Sequence, residues 1–488
     1  MMAATSLWPC AAILIPLLGA IPILLSDRRP NLRESWTLLA ALGLFAAVAS
    51  MLPRILAGGE LVYTIAEVIP AVPLQLRVDA FGLFFALVAS FLWFFTSVYS
   101  IGYMRALDEH AQTRYYASFA VAIAATIGVA FSANLLTLYL FYELLSLSTY
   151  PLVTHEQNAQ ARASGRKYLT YILGTSIGLV LPAMLVTYAL AGTLDFAAGG
   201  ILAGKASPLV TALLLALYVL GFAKAGIMPM HAWLPAAMVA PTPVSSFLHG
   251  VAVVKVGVFS ILRVIFDIFG PDLLRSFDLG TALTWFAAIT ILAASLVALT
   301  QDNLKRRLAY STVAQLSYMI IGAAMLSAAG MTGGILHIAM HAFGKITLFF
   351  CAGAIYVASH KKYISEMDGL GRRMPITFFA FFLGAMSIIG MPPLGGFISK
   401  WHLVIGALQS DQIGLMVVLL VSSLLNAAYF LPIFYRAFFA APAVELEPGI
   451  KEAPLFCLVP LCVTALISVG LFFYPDLFLR LAKQALGL

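Results

Sequence analysis

The stretch GFAKAGIMPMHAWLPAAMVAPTPVSSFLHGVAVVKVG, residues 221–257, decides how the rest of the chain is interpreted. It is apolar enough to lie in a membrane, yet ionisable side chains and prolines interrupt it. Charged groups and broken helices are both costly in hydrocarbon, because the bilayer interior has no water to hydrogen-bond them. Their coincidence indicates a transport site. The residues concerned are Lys224, His231, His249 and Lys255, with Pro229, Pro235, Pro241 and Pro243.

The composition indicates an all-α polytopic membrane protein. Of 488 residues, 62% are hydrophobic and 10% charged, with a mean hydropathy of +0.98. Soluble proteins have about 25% charged residues. The net charge of +7 comes from lysines and arginines in short loops, so we expect a lipid bilayer and not nucleic acid as the partner. No cofactor motif and no cysteine pair with metal-binding spacing is present, so we expect no cofactor and no metal. The four cysteines are Cys10, Cys351, Cys457 and Cys462.

Apolar runs of about 20 residues predict about fourteen transmembrane helices in a single domain covering residues 1–488. Residues 58–77 are predicted to form an extended connection outside the membrane. The predicted spans are 8–25, 35–57, 78–102, 114–132, 134–154, 167–191, 207–228, 243–268, 280–300, 307–328, 332–358, 374–408 (broken), 413–437 and 453–475.

Lysine and arginine concentrate in the loops that follow odd-numbered predicted helices, such as those containing Arg105 and Arg306. Cytoplasmic loops carry this excess. We therefore expect a multi-pass protein of the inner or plasma membrane, with both termini on the outer side. Arg263 is counted with the few basic residues of the outer loops.

Glu143 is the one acid that lies deep in a predicted span, and Lys224 is its simplest partner. The alternative interpretation is a structural ion pair that only holds two helices together. Three further lysines have no deep acidic partner, and desolvation disfavours their charged form. A row of such lysines predicts a proton relay. These lysines are Lys255, Lys345 and Lys400.

Three ionisable residues at i, i+4 and i+8, His337, His341 and Lys345, lie on one face of a predicted helix. A proton path explains this face better than a metal site, because no third ligand is near in sequence. His249 and Lys255 are expected on different faces unless their helix is distorted. His231, next to Pro229, either caps the broken backbone or takes part in proton transfer.

A second interruption, MPPLGGFISKW, places Pro392 and Pro393 shortly before Lys400. Two interrupted apolar segments in corresponding halves, each near a lysine, indicate an internal repeat. Five helices over about 114–268 would then match five over about 280–437.

Four blocks of the sequence resemble the antiporter-like proton-translocating subunits of respiratory complex I, Mrp-type antiporters and membrane-bound hydrogenases. The blocks are MPMHAWLPAAMVAPTPVSSFLHGVAVVKVGVF, QDNLKRRLAYSTVAQLSYM, HIAMHAFGKITLFFCAG and PPLGGFISKW. The resemblance implies fourteen helices, two inverted five-helix repeats and broken seventh and twelfth helices. It also implies that Glu143 and Lys224 are the fifth- and seventh-helix pair, Lys255 the central lysine, and Lys400 the terminal ionisable residue.

The sequence thus predicts a subunit of a larger membrane complex that moves H⁺ through a buried Glu, Lys and His relay. One alternative is exchange of Na⁺ for H⁺, although Na⁺ prefers oxygen ligands and deep carboxylates are few. Others are a quinone-binding redox subunit, and a membrane anchor or proton channel for a soluble partner such as an inorganic-carbon uptake protein. No redox or hydrolytic site is predicted in this chain.

Overall fold

The structure is a computed structural model and describes residues 3–69, 72–442 and 449–488. Helices dominate it, and nine helices within those ranges are long and apolar enough to cross a membrane. Two shorter apolar helices, Pro208–Gly221 and Pro375–Ile389, lie next to the predicted interruptions. The chain is therefore a helical protein suited to a bilayer, as its composition indicates.

The first eight helices include several that begin where the sequence supplies a capping side chain. Asp79 accepts from the Gly82 amide and Asn134 from the Thr137 amide, which satisfies N–H groups left free at a helix start. A π-helical segment, Ser176–Val180, joins α7 to α8. The helices are α1 Trp8–Leu25, α2 Pro30–Ser50, α3 Leu52–Leu56, α4 Ala80–Ala106, α5 Gln112–Ala130, α6 Leu135–Val153, α7 Ala159–Thr175 and α8 Leu181–Ala191.

The middle of the chain is irregular. The predicted single span 243–268 was too simple, because the helix is interrupted between Gly250 and Val253 and ends in a π-helical segment, Val264–Phe269. A 3-10 turn, Ala223–Ala225, follows α9 and carries Lys224. The helices here are α9 Pro208–Gly221, α10 Trp233–Ala236, α11 Thr242–Gly250, α12 Val253–Arg263 and α13 Pro271–Ser276.

The last third contains the longest helix, α16, and the second interruption. The predicted broken span 374–408 is two helices, α17 and α18, separated at residues 390–394. The helices are α14 Leu279–Thr300, α15 Leu304–Ala324, α16 Ala328–Ser359, α17 Pro375–Ile389, α18 Gly395–Gln409, α19 Ile413–Phe439, α20 Leu455–Phe473 and α21 Asp476–Ala485.

A small three-stranded sheet corrects the all-α prediction. Strand β1, Ala3–Thr5, pairs in parallel with β2, Glu60–Ile69, and β2 pairs antiparallel with β3, Val72–Val78. The connection is therefore extended, as predicted, but its backbone hydrogen bonds are satisfied within a sheet. Pro70, which the sequence places in this connection, lies outside the described residues.

Loops meet in two groups. In one, Lys305 Nζ donates to the Ala240 carbonyl at 2.5 Å, and Asn303 forms a β-bridge with Tyr363. In the other, Asn134 forms a bridge with Asp195, and the Ala197 amide donates to the Asp267 carbonyl. The first group consists of connections after odd-numbered predicted helices and the second of connections after even-numbered ones. This grouping agrees with the alternation that the basic residues indicate.

Helix α16 lies at the centre, and close backbone approaches pack its neighbours against it. A Cβ added at Gly322 of α15 would lie 2.5 Å from the Gly334 Cα, and one at Gly406 of α18 would lie 2.4 Å from the Gly330 Cα. Only glycine permits such approaches. The ionisable face of α16 is thereby enclosed by α12, α15 and α18.

Candidate functional site: buried lysines and histidines

Lys224 is fully buried at the first helix interruption. Its Nζ donates to the Tyr142 carbonyl at 2.6 Å and to Ser146 Oγ at 2.7 Å, and lies 3.1 Å from the centre of the Tyr142 ring. Helix α12 presses on the same turn, because a Cβ at Gly257 would lie 2.1 Å from the Ala225 nitrogen. The sequence did not predict the roles of Tyr142 and Ser146, although their position beside Glu143 is a signal that could have been used.

Glu143 follows Tyr142 on α6 but points to another helix face. Its neighbours on that face, Leu140 and Leu147, are 45% and 57% exposed. Both Glu143 carboxylate oxygens are buried and have no hydrogen-bond partner in the described part of the chain. The expected direct contact between Glu143 and Lys224 is therefore not made in this structure. Successive helix residues diverge by about 100°, so pairing needs a side-chain movement.

Lys255 and His341 are in direct contact. The Lys255 Nζ and the His341 Nδ1 form a short hydrogen bond, and both side chains are buried. The second ring nitrogen of His341, Nε2, has no partner among the described residues. An amine and an imidazole that share a hydrogen bond can exchange the proton between them.

His337 lies one helical turn from His341, with ring centroids 5.9 Å apart. Its Nδ1 contacts Ser399 Oγ at 2.8 Å and its Nε2 contacts Gln315 Oε1 at 3.0 Å. The histidine thus connects α16 to α15 and α18. Gln315 and Ser399 are uncharged, and nothing in the sequence distinguishes them from other polar residues of buried helices.

Lys345 and Lys400 repeat the environment of Lys224. Lys345 Nζ donates to Ser311 Oγ at 2.8 Å and to the Leu308 carbonyl at 3.4 Å, and it lies 5.5 Å from the Phe430 ring centre. Lys400 has the same kinds of partner: the Ile389 carbonyl and Ser423 Oγ, each at 3.1 Å, and the Tyr318 ring at 4.6 Å.

Four lysines therefore lack a carboxylate partner within ion-pair distance over the ranges the structure describes. Three of them have two neutral acceptors each, one carbonyl and one serine hydroxyl. A protonated lysine has three donors, whereas a neutral amine has two, so these environments accommodate both forms.

The other predicted residues are less connected. Neither ring nitrogen of the buried His249 has a partner among the described residues, and its ring lies 5.0 Å from that of Phe349. The interruption between α11 and α12 separates it from Lys255. His231 and Pro229 lie in the irregular segment after Lys224, and His231 Nδ1 is buried without a described partner. Pro392 and Pro393 are exposed at the second interruption.

A buried ion-pair cluster lies apart from these residues. Arg263 is 4% exposed and donates to Asp79 at 2.6 Å and to Asp267 at 2.9 Å. Counting Arg263 as a loop residue was wrong, because α12 and its π-helical extension carry it inward to Asp79. Asp79 therefore has a partner within this chain.

A cavity of about 690 Å³ opens at the loop group that contains Lys305. Its lining includes Glu109, Glu156 and Lys362, and it reaches Pro241 at the start of α11. The cavity thus extends from the basic loops to the segment that follows the first helix interruption. That segment leads into α11 and α12, which carry His249 and Lys255.

Residues 132–426 match the family model described as NADH:quinone oxidoreductase/Mrp antiporter, TM. The chain belongs to this transmembrane family. All of the buried lysines and membrane histidines described above fall within the matched residues, so the recognised family segment contains the whole candidate site.

Similar proteins come from several kinds of membrane complex. NADH-quinone oxidoreductase subunit N of Desulforudis audaxviator is 32% identical over 95% of both chains. A probable K⁺/H⁺ antiporter protein of Rhizobium meliloti, named as its A/B subunit, is 31% identical over 94% of this chain but only 46% of its own length. Hydrogenase-4 component B of Escherichia coli is 31% identical over 85% of this chain and 64% of its own.

Solved structures agree on the fold. A chain of the Mrp complex from a Dietzia species superposes with a TM-score of 0.88 at 23% identity, covering 99% of this chain and 97% of that one. A chain of the archaeal membrane-bound sulfane sulfur reductase superposes equally well. The architecture is thus shared by complexes with different names.

Proposed function

We propose that this chain translocates protons as one subunit of a larger membrane complex. The observation that carries the proposal is the set of buried lysines without carboxylate partners, held by neutral acceptors or, for Lys255, by His341. A lysine fixed by a carboxylate would remain charged. A lysine between a carbonyl and a serine hydroxyl can alternate between its charged and neutral forms with little rearrangement.

The proton path begins at the cavity beside Lys305 and enters the membrane region near the first interruption. Lys224 takes a proton there and passes it towards Lys255, which exchanges it with His341. His337 and Lys345 continue the path towards Lys400. Charge on one site repels charge on the next by about 4 kcal/mol at 4 Å with an effective dielectric near 20, and by less at longer spacing. Each transfer therefore favours the following one.

Glu143 acts as the switch of this path. Movement of its carboxylate towards Lys224 would hold the lysine charged, and its return would release the proton. The buried carboxylate without a described partner and the neutral acceptors around Lys224 support the released state in this structure.

We also propose an arrangement of fourteen membrane crossings in two inverted repeats. Joining α2 with α3, α7 with α8, α9 with α10, α11 with α12, and α17 with α18 gives fourteen crossings, with α13 and α21 outside them. The two interruptions fall in the seventh and twelfth crossings, which supports two inverted repeats at about 114–268 and 280–437. The grouping of loops supports termini on the outer side of the cell membrane.

The partners we propose are other membrane subunits, since the similar proteins are named as subunits of multi-subunit complexes. The name of the Rhizobium relative is that of a K⁺/H⁺ antiporter, so H⁺ movement coupled to a cation is the second candidate function. The partly buried acids Asp79 and Asp267 are both paired with Arg263, which argues against a cation site there.

The test uses Lys255→Ala and Lys255→Gln in the intact complex, in everted membrane vesicles that report the pH gradient by fluorescence quenching. We expect at least about tenfold slower acidification, because a lost charged hydrogen bond is worth about 1.5–3 kcal/mol. Lys483→Ala, at an exposed site, is the matched control. Normal acidification by both Lys255 variants would reject the relay. If Na⁺ or K⁺ collapsed the pH gradient in vesicles with the unaltered complex but not in those with the Lys255 variants, cation exchange would be favoured.

A further inference from the structure

A cluster of three ligand-type side chains lies outside the proton path, where the turn after α4 meets the turn after α6. Glu109, His110 and His155 each offer one ligand atom, and these atoms all lie within 4.8 Å of one another. His155 Nε2 lies 3.7 Å from Glu109 Oε2, and the two imidazole rings have centroids 4.7 Å apart. The 44 intervening residues conceal this grouping from sequence analysis.

His155 supplies the second observation. Its side chain is fully buried, and neither Nδ1 nor Nε2 has a hydrogen-bond partner in the described ranges. A buried polar nitrogen without a partner is costly. A bound ion that accepts a lone pair of this ring would remove that cost.

One ring nitrogen of His110 is held by a backbone contact. Its Nε2 lies 2.9 Å from the His155 carbonyl oxygen. A carbonyl only accepts, so Nε2 carries the proton and Nδ1 carries the lone pair in the neutral ring. Metal-bound histidines usually donate their second N–H to such an acceptor, which fixes the tautomer. The contact leaves Nδ1 as the His110 nitrogen that can bind a metal ion.

We propose that Glu109, His110 and His155 form a binding site for a divalent transition-metal ion of the Zn²⁺ class. Two imidazoles and one carboxylate suit Zn²⁺, Co²⁺ and Ni²⁺ better than Mg²⁺ or Ca²⁺, which prefer oxygen ligands. Ligand distances of about 2.0–2.2 Å require the three groups to contract around the ion, with water completing the coordination.

Charge in the surroundings is mixed. Arg114 donates to the His155 carbonyl at 3.1 Å and opposes a cation. Glu109 and Glu156, which both line the cavity, favour one. The bound ion would join two cytoplasmic-side turns at the rim of the cavity.

The test titrates the purified full-length chain with Co²⁺ at pH 7.5 and follows its visible ligand-field absorption, then displaces Co²⁺ with Zn²⁺. We expect one equivalent per chain, and at least about tenfold weaker binding in His110→Ala and His155→Asn. His110 is exposed, so its variant keeps the fold even where the buried His155 variant does not. His360→Asn, at another exposed histidine, should bind as the unaltered chain does. Absence of stoichiometric Co²⁺ binding, or equal binding by His110→Ala, would overturn the site.

Discussion

The two interrupted helices hold their lysines with the same chemistry but at different depths. Lys224 is fully buried, whereas Lys400 is 8% exposed and is followed by Trp401, which is 53% exposed. The first interruption is enclosed by α12, and Glu143 lies on the adjacent helix. The second interruption lies at the surface of the fold, where Met391 is 45% exposed. Equivalent changes at the two interruptions should therefore have unequal effects on transport.

Close backbone packing is the feature that the two interruptions share most strongly. A Cβ at Gly257 would lie 2.1 Å from the Ala225 nitrogen, and a Cβ at Gly396 would lie 1.8 Å from the Ser387 oxygen. These neighbours are backbone atoms and cannot rotate away.

We expect Gly257→Ala and Gly396→Ala to have the largest effects of all, because overpacking costs about 1–3 kcal/mol or more. Folded yield and thermal unfolding, followed by fluorescence-detected size-exclusion chromatography, measure this. Gly174→Ala, which meets nothing within 4 Å, is the matched control. Equal stability of all three variants would show that the interruptions are not tightly packed.

The sequence predicted the long apolar helices well, because hydropathy alone determines them. The predicted span 280–300 corresponds to α14, and 332–358 lies inside α16. Sequence reasoning also located both interruptions, since proline and glycine remove helix hydrogen bonds or helix preference. It failed where tertiary contacts decide: the pairing of strands Glu60–Ile69 and Val72–Val78, the interruption between Gly250 and Val253, and the inward course of Arg263.

The candidate site was partly predictable for a similar reason. Charged residues are costly in hydrocarbon, so Lys224, Lys255 and Lys345 are conspicuous. Their neutral acceptors are not, because a serine or a main-chain carbonyl is common in any buried helix. The Glu143 and Lys224 contact was inferred from charge and from the family resemblance. In the structure, Lys224 instead donates hydrogen bonds to Tyr142 and Ser146, which lie on a different face of the same helix.

Removing each lysine sharpens the comparison. We expect Lys224→Ala to slow acidification by everted vesicles by about tenfold or more, because it removes a buried donor that contacts two acceptors. Lys400→Ala should have a smaller effect, because Lys400 lies near the protein surface and other proton donors can reach its place.

The control for both variants is Lys483→Ala, and membrane levels of each complex are compared by immunoblotting. Equal losses from Lys224→Ala and Lys400→Ala would show that depth does not distinguish the two sites. A greater loss from Lys400→Ala would reverse the assigned order.

The smallest expected effect comes from the serine acceptors. Ser146→Ala removes a 2.7 Å hydrogen bond to Lys224, and Ser423→Ala removes a 3.1 Å bond to Lys400. Each leaves the lysine with one carbonyl acceptor, and loss of a hydrogen bond to a charged group is worth about 1.5–3 kcal/mol. The protonated lysine is thereby disfavoured, so acidification should need a lower pH on the proton-entry side. The shift should be larger for Ser146→Ala because its bond is shorter and its surroundings are drier.

Acidification rates measured between pH 6 and pH 9 would reveal this shift in the pH profile, with Ser410→Ala at a partly exposed helix end as the control. A pH profile unchanged by Ser146→Ala would mean that the serine does not tune Lys224, and the resemblance between the two interruptions would then be one of packing alone.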